Sequence, residues 1–389
     1  MTPFLHRQYA QERVYFKSPF LDAVPDEMTR LGLRHAYILT SPSVAKPGAP
    51  AHRLAERLGP RCAGMYADCR PHSPRECGFN AAVGARQAGA DVLLAIGGGS
   101  VIDTCKLAQL CIWRDVRSLA EVELHRRAAD LDASIQQPNV SSLPRTIAVP
   151  TTFSAAEFTF FAGIKNERSG FKESFADSHL IPRAIVFDPA VTCSTPREVL
   201  LATGIKALDH AIEAYLSVFA NPMSDALTAL GARLLIRGLE AIDRDPADIG
   251  ARADCQLGAW SAMAGAMGFG VGGISHTIGA VLGGHAAVPH GATSCITLPA
   301  VLEWQYRQDR ARQDALCRAA GDLGAPLHET LRQLVRRLRL PATLRDVGVT
   351  AAEFGAICDK VLIDRPPFQH HLGKPAQQAD VIEILEACA

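Results

Sequence analysis

The sequence predicts an α/β domain over residues 1–190 followed by an all-helical domain over residues 191–389. Three observations carry that prediction. Short apolar runs alternate with helical patterns in the first half, the texture of a parallel sheet covered on both faces. One of those runs, Ala90–Ile96, passes directly into Gly97-Gly98-Gly99-Ser100. After residue 190, one helical pattern follows another with no strand signal between them.

Taken in order, His35–Thr40 reads as a strand ended by Ser41-Pro42-Ser43, and Ala90–Ile96 as a second strand buried on both faces. Thr146–Val149 and Ala184–Phe187 are two more, each stopped by Pro or Asp-Pro. Thr195-Pro196-Arg197-Glu198 reads as a capping box with proline at the first helical position. Helices are expected from there over roughly 197–218, 222–243, 251–268, 273–284, 290–306, 308–322, 326–338 and 351–362. No internal repeat or low-complexity stretch interrupts them. The cleft between the two domains is the expected ligand site.

A chain of 389 residues suffices for one large or two ordinary domains. Lys plus Arg and Asp plus Glu each total 40, so the balanced charge gives no argument for nucleic acid or an anionic membrane as partner. No apolar run approaches the roughly 18 residues of a membrane span. Met1–Arg7 has no apolar core of the kind a signal peptide carries. The eleven cysteines are scattered without a CxxC pair, and Cys105, Cys111, Cys255, Cys295 and Cys358 lie in apolar contexts. Reduced core cysteines and a cytoplasmic setting are therefore expected.

The turn Gly97-Gly98-Gly99-Ser100 follows a strand and opens the helix Val101–Trp113. Glycines let backbone approach a pyrophosphate, and a helix start offers free N–H groups and a positive dipole end. In this strand–turn–helix context the expected ligand is a dinucleotide. A second group of residues is His210, on the helix beginning near 197, with His276 and His290 fourteen residues apart. Lys206 lies one helical turn before His210, on the same face. A protonated lysine has no acceptor and cannot bind a cation. Asp209 is not expected to substitute, because adjacent helix positions point about 100° apart. His285 could rotate in, but it follows a Gly-Gly turn and its spacing does not favour that.

The string GGGSVIDTCK, the segment Gly204–Glu213 and the sequence Pro289-His290-Gly291 together resemble the iron-containing alcohol dehydrogenase superfamily. The resemblance covers nearly the whole chain, from Arg13-Val14-Tyr15-Phe16 to Leu340–Arg345. It implies a dehydroquinate synthase-like fold, a homodimer, and hydride transfer between NAD or NADP and a small carbonyl or alcohol substrate. It further implies cofactor contacts from Gly97, Gly98, Gly99, Ser100 and Asp103, from Thr151 and Thr152 on the adenine and diphosphate side, and from Lys172 near the nicotinamide ribose. Ser41 stands where many relatives carry an aspartate. An acid there would repel a 2′-phosphate, so its absence removes a barrier to NADP without establishing a preference.

In that family His210, His276 and His290 correspond to metal ligands, and Lys206 stands in place of the fourth, an aspartate. A divalent metal with one carboxylate carries one net positive charge, and so does an ammonium. The expectation is therefore that metal is absent and that Lys206, with the three histidines, polarises a carbonyl or holds a carboxylate. Within the family the chain is similar to the maleylacetate reductase branch, which also lacks the aspartate and shares Val281-Leu282-Gly283-Gly284. It departs from that branch at Ser275 and Gly291 and retains Asp103. Ala280 occupies a position where metal-dependent members often have another histidine. Three alternatives stay open: an iron- or zinc-dependent alcohol dehydrogenase with a rearranged site, a metal-dependent lyase or cyclase on the same scaffold, and an inactive binding homologue. Glu157 reads as a structural carboxylate, and His370-His371 as a solvated pair in a loop.

Overall fold

The computed structural model describes residues 11–126, 144–168, 172–268, 272–286, 288–364 and 376–389, with the side chain of His290 excepted. The chain divides into two compact units, within Tyr9–Thr195 and Pro196–Ala389.

The first unit runs β1 (Arg13–Phe16), α1 (Phe20–Arg30), β2 (Ala36–Thr40), α2 (Pro50–Leu58), β3 (Cys62–Tyr66), α3 (Arg75–Gln87), β4 (Val92–Gly97), α4 (Gly99–Trp113), β5 (Arg145–Pro150), β6 (Phe161–Lys165), β7 (Lys172–Ala176) and β8 (Ala184–Phe187). Six strands form one sheet in the order β1-β8-β5-β4-β2-β3, and β6 and β7 form a separate antiparallel hairpin. Every pairing in the large sheet is parallel. That requires cover on both faces, and the strands β2, β4 and β8 are accordingly buried throughout. On one face Phe20, Val24 and Met28 of α1 and Ala51, Leu54 and Leu58 of α2 pack on Ile38, Leu94, Ile96 and Val186. Elsewhere α3 packs on α4, and α4 on β4, β5 and β6.

In the described part of the second unit there are only helices: α5 (Arg197–Leu216), α6 (Pro222–Arg244), α7 (Ile249–Ala266), α8 (Ile274–His285), α9 (His290–Tyr306), α10 (Ala311–Ala319), α11 (Leu327–Arg337), α12 (Phe354–Asp364) and α13 (Gln378–Ala387). The centre is α5, which contacts α6, α7, α8, α9 and α10. Its residues from Gly204 to Tyr215 are all buried, the polar Lys206, Asp209, His210 and Glu213 among them.

The expected capping box at Thr195 does not form. Helix α5 begins after Pro196 with no side-chain cap, and the Thr195 hydroxyl donates instead to the carbonyl of Thr151 at 2.7 Å. All eleven cysteines are unpaired thiols. No helix among the described residues is long and apolar enough to cross a membrane. The pair His370-His371 lies outside the described residues.

Candidate active site

In the first unit the C-terminal ends of β2, β4 and β5 lie side by side, because Thr40 is in register with Ile96 and Gly97 with Pro150. This places Ser41, the turn Gly97–Ser100 and Thr151-Thr152 along one edge of the sheet, where open α/β sheets bind their ligands. Gly97 has φ of 156°, and a Cβ there would lie 2.5 Å from Val101 Cγ2. A Cβ on Gly98 would meet Thr152 at 2.9 Å, and one on Gly99 would meet Ser154 Oγ at 3.0 Å. The turn is thus lined by a second loop, 151–160, which is tied to it where the Thr151 N–H donates to the Gly97 carbonyl at 3.0 Å. The Ser73 hydroxyl holds the other side through the Ser100 carbonyl at 3.0 Å. A bare-backbone turn at the start of a fifteen-residue helix fits a pyrophosphate.

Asp103 faces the hairpin. Its Oδ2 accepts the Gly163 N–H at 3.1 Å, and its Oδ1 lies 3.5 Å from the Lys106 ammonium. Lys172 opens β7 and passes near the same place: a Cβ on Gly163 would be 3.8 Å from Lys172 Nζ and 3.9 Å from Asp103 Oδ2. Ser41 pairs its hydroxyl with that of Ser43 at 3.2 Å.

In the second unit, α5 presents Lys206, Asp209, His210 and Glu213 on successive turns, all buried. Lys206 Nζ lies 3.2 Å from Asp209 Oδ2, and the same oxygen accepts from Ser294 Oγ at 2.5 Å and Ser275 Oγ at 3.2 Å. His276, on the first turn of α8, places Nδ1 at 2.5 Å from Glu213 Oε2 and 3.4 Å from Asp209 Oδ2. Its ring stacks on that of His210 with centroids 4.7 Å apart.

Glu213 has two tasks. Its carboxylate accepts the N–H groups of Gly273 at 2.9 Å, Ser275 at 2.8 Å and His276 at 3.3 Å, so it caps α8, which has no side-chain cap of its own. It also accepts a hydrogen bond from His276 Nδ1–H, leaving Nε2 as the ring atom with no partner among the described residues. Asp209 Oδ1 and His210 Nδ1 are likewise buried without partners there. Burial first, then His276 and Lys206, hold the His210 pKa well below its ordinary value, so its imidazole is neutral.

One sequence expectation needs correction. Asp209 was not expected to substitute at this site, yet its carboxylate reaches the cluster. A residue three places after Lys206 shares enough of its helix face for contact, and the small Ser275 and Ser294 leave room for its carboxylate. Lys206 is therefore a cation with a buried counter-ion rather than a lone charge. His285 is not a spare ligand, since its ring sits between Lys360 Nζ at 2.9 Å and Glu353 Oε1 at 3.4 Å. The backbone of His290 starts α9. Gly291 beside it has a reason: a Cβ there would lie 2.9 Å from the backbone carbon of Ala202 on α5.

Asp209, Glu213 and His276 bring donor atoms within 4.8 Å of one another, a grouping of metal-ligating types. Part of this grouping is already engaged, while Asp209 Oδ1 and His276 Nε2 have no partner among the described residues. Glu213 is committed to three N–H groups and an imidazole, and Asp209 Oδ2 to an ammonium and two hydroxyls. An added metal would face Lys206, whose charge repels it.

The profile of the iron-containing alcohol dehydrogenase family matches residues 11–189, and that of the C-terminal part of the Fe-containing alcohol dehydrogenase family matches residues 200–389. The chain belongs to this family. Family membership places it among oxidoreductases. Maleylacetate reductase of Pseudomonas knackmussii is 28% identical over 373 residues, 96% of this chain and 95% of that protein. The crystal structure of maleylacetate reductase from Agrobacterium tumefaciens superposes with a TM-score of 0.82 at 25% identity, over 100% of this chain and 98% of that one. Sulfoacetaldehyde reductase from Bifidobacterium kashiwanohense, solved in complex with NAD+, shares the fold with a TM-score of 0.87 at 19% identity, over 100% and 99% of the chains.

Sequence reasoning missed Glu213, Ser294 and Ser154. For Glu213 a signal was available: it lies seven residues after Lys206, two turns along the same helix face.

Proposed function

We propose that this protein is an NAD(P)H-dependent reductase of a carbonyl or oxo-acid substrate, working without a metal ion. The observation that carries the proposal is the Lys206–Asp209 pair, at 3.2 Å, standing among the residues that match the family's metal ligands. The nicotinamide supplies the hydride. The turn Gly97–Ser100 and the loop carrying Thr151 and Thr152 bind the diphosphate, and Asp103 and Lys172 border the ribose side. Lys206 holds the substrate oxygen by charge, and the Asp209 carboxylate and the Ser275 and Ser294 hydroxyls keep it in place. His276, fixed by Glu213 through Nδ1, moves a proton at Nε2. Neutral His210 backs its ring, and His290 is the fourth member of the set. The named relatives make maleylacetate the first substrate to try.

The test is oxidation of NADH and NADPH with maleylacetate, other oxo-acids and simple aldehydes, in protein purified without metal and assayed with EDTA. EDTA-resistant turnover with an oxo-acid supports the proposal. Turnover of simple alcohols only after addition of Fe or Zn would instead favour a metal-dependent alcohol dehydrogenase, the reading that the donor grouping of Asp209, Glu213 and His276 favours.

A further inference from the structure

Lys106 is fully buried in α4, yet it is not in the cluster to which the proposed chemistry is assigned. Its three ammonium hydrogens match three acceptors: the Ala156 carbonyl at 2.7 Å, Thr159 Oγ1 at 2.6 Å and the Phe161 carbonyl at 2.8 Å. Asp103 Oδ1 stands further off at 3.5 Å. All three close partners belong to the chain that leaves β5 and enters β6. An apolar side chain of the same length would fill this space without the cost of burying a charge, so the ammonium is there for those oxygens.

The segment it grips is under strain. Ala155 has φ of 60°, the left-handed region that costs a residue with a Cβ roughly 1–2 kcal/mol. Immediately before it come Thr152 and Ser154, the residues that lie against Gly98 and Gly99. Immediately after it comes Ala156, whose carbonyl Lys106 holds. The loop is thus pinned on both sides of the strained residue, by the Thr151 N–H on the Gly97 carbonyl and by Lys106 on Ala156.

We infer that Lys106 is a positioning residue for the dinucleotide: by fixing loop 151–160 in its strained path, it presses Thr152 and Ser154 against the glycine turn and sets the shape that receives the diphosphate. This rests on the dinucleotide reading above. Lys106 acts through the loop, since its ammonium is spent on Ala156, Thr159 and Phe161.

The experiment titrates wild type, Lys106→Met and Thr159→Val with NADH, NADPH and ADP, read by fluorescence or calorimetry, alongside Tm and the separate kinetic constants. The expected result for Lys106→Met is a ten- to hundredfold rise in Kd for the preferred dinucleotide and a comparable rise for ADP. The nucleotide KM should rise by more than kcat falls. Thr159→Val, which removes one of the three acceptors, should move Kd in the same direction by a few fold. A merely structural lysine would lower Tm and leave Kd and the KM-to-kcat pattern unmoved. That outcome in Lys106→Met, or in Thr159→Val should the first variant not fold, overturns the inference. Wild-type protein that binds neither dinucleotide would overturn the dinucleotide reading, and this inference with it; binding by wild type with unchanged Kd in the variants overturns this inference alone.

Discussion

Lys206 can carry its charge into the centre of a helical core because Asp209 follows three residues later and two serine hydroxyls donate to that carboxylate. Removing either partner leaves a buried charge uncompensated, which typically costs about 3–5 kcal/mol. Asp209→Asn should therefore lower Tm by many degrees in thermal melts. Lys206→Met replaces the ammonium with an apolar stem and should cut turnover by the ~100- to 1,000-fold seen on losing an oxyanion donor, while Kd for the nucleotide stays near wild type. Full activity in a folded Lys206→Met protein would remove Lys206 from the chemistry.

Glu157 offers a prediction of stability against pH. It is buried, its Oε2 has no partner among the described residues, and burial pushes its pKa up to about 7 from 4.5. A carboxyl with a raised folded-state pKa binds more protons folded than unfolded between those two values. Stability contributed by the neutral acid is thus full below pH 4.5, falls as pH rises toward about 7, and is then lost. A shift of that size is worth ~3 kcal/mol. Glu157→Gln should raise Tm at pH 8 and leave it nearly unchanged at pH 4.5. Equal Tm differences at both pH values would contradict the assignment.

At the scale of elements, α5 and the first turns of α8 and α9 form one device. Glu213 caps α8 while orienting His276, and Gly291 lets α9 start against the backbone of α5. Gly291→Ala should force a backbone shift costing roughly 1–3 kcal/mol, visible as a lower denaturation midpoint. The same elements show what the sequence made legible. Strands β2, β4, β5 and β8 stood out because central parallel strands are buried on both faces and read as continuous apolar runs. Strands β1 and β3 lie at the sheet edges, half-buried, and give no such run; β6 and β7 pair only with each other. In the site, Lys206 and His210 were legible from their spacing on one helix. The links from Glu213 to α8 and from Ser294 to Asp209 join residues 60 to 85 positions apart, and no local pattern announces them.

At the scale of the molecule, a glycine turn at the sheet edge and a helical core with an internal ion pair belong to a family named for its iron. In the proposed metal-free reading, Lys206 and Asp209 stand in place of the metal. A corollary follows for the exchange in reverse: Lys206→Asp with Asp209→Ala restores an aspartate four residues before His210 and should raise the bound Fe or Zn measured after reconstitution. The most direct test is elemental analysis of wild-type protein purified without chelator or added metal, with turnover measured before and after EDTA. Metal-free chemistry predicts far less than one equivalent of Fe or Zn per chain and turnover that EDTA leaves unchanged. Near-stoichiometric metal with turnover abolished by EDTA would contradict it.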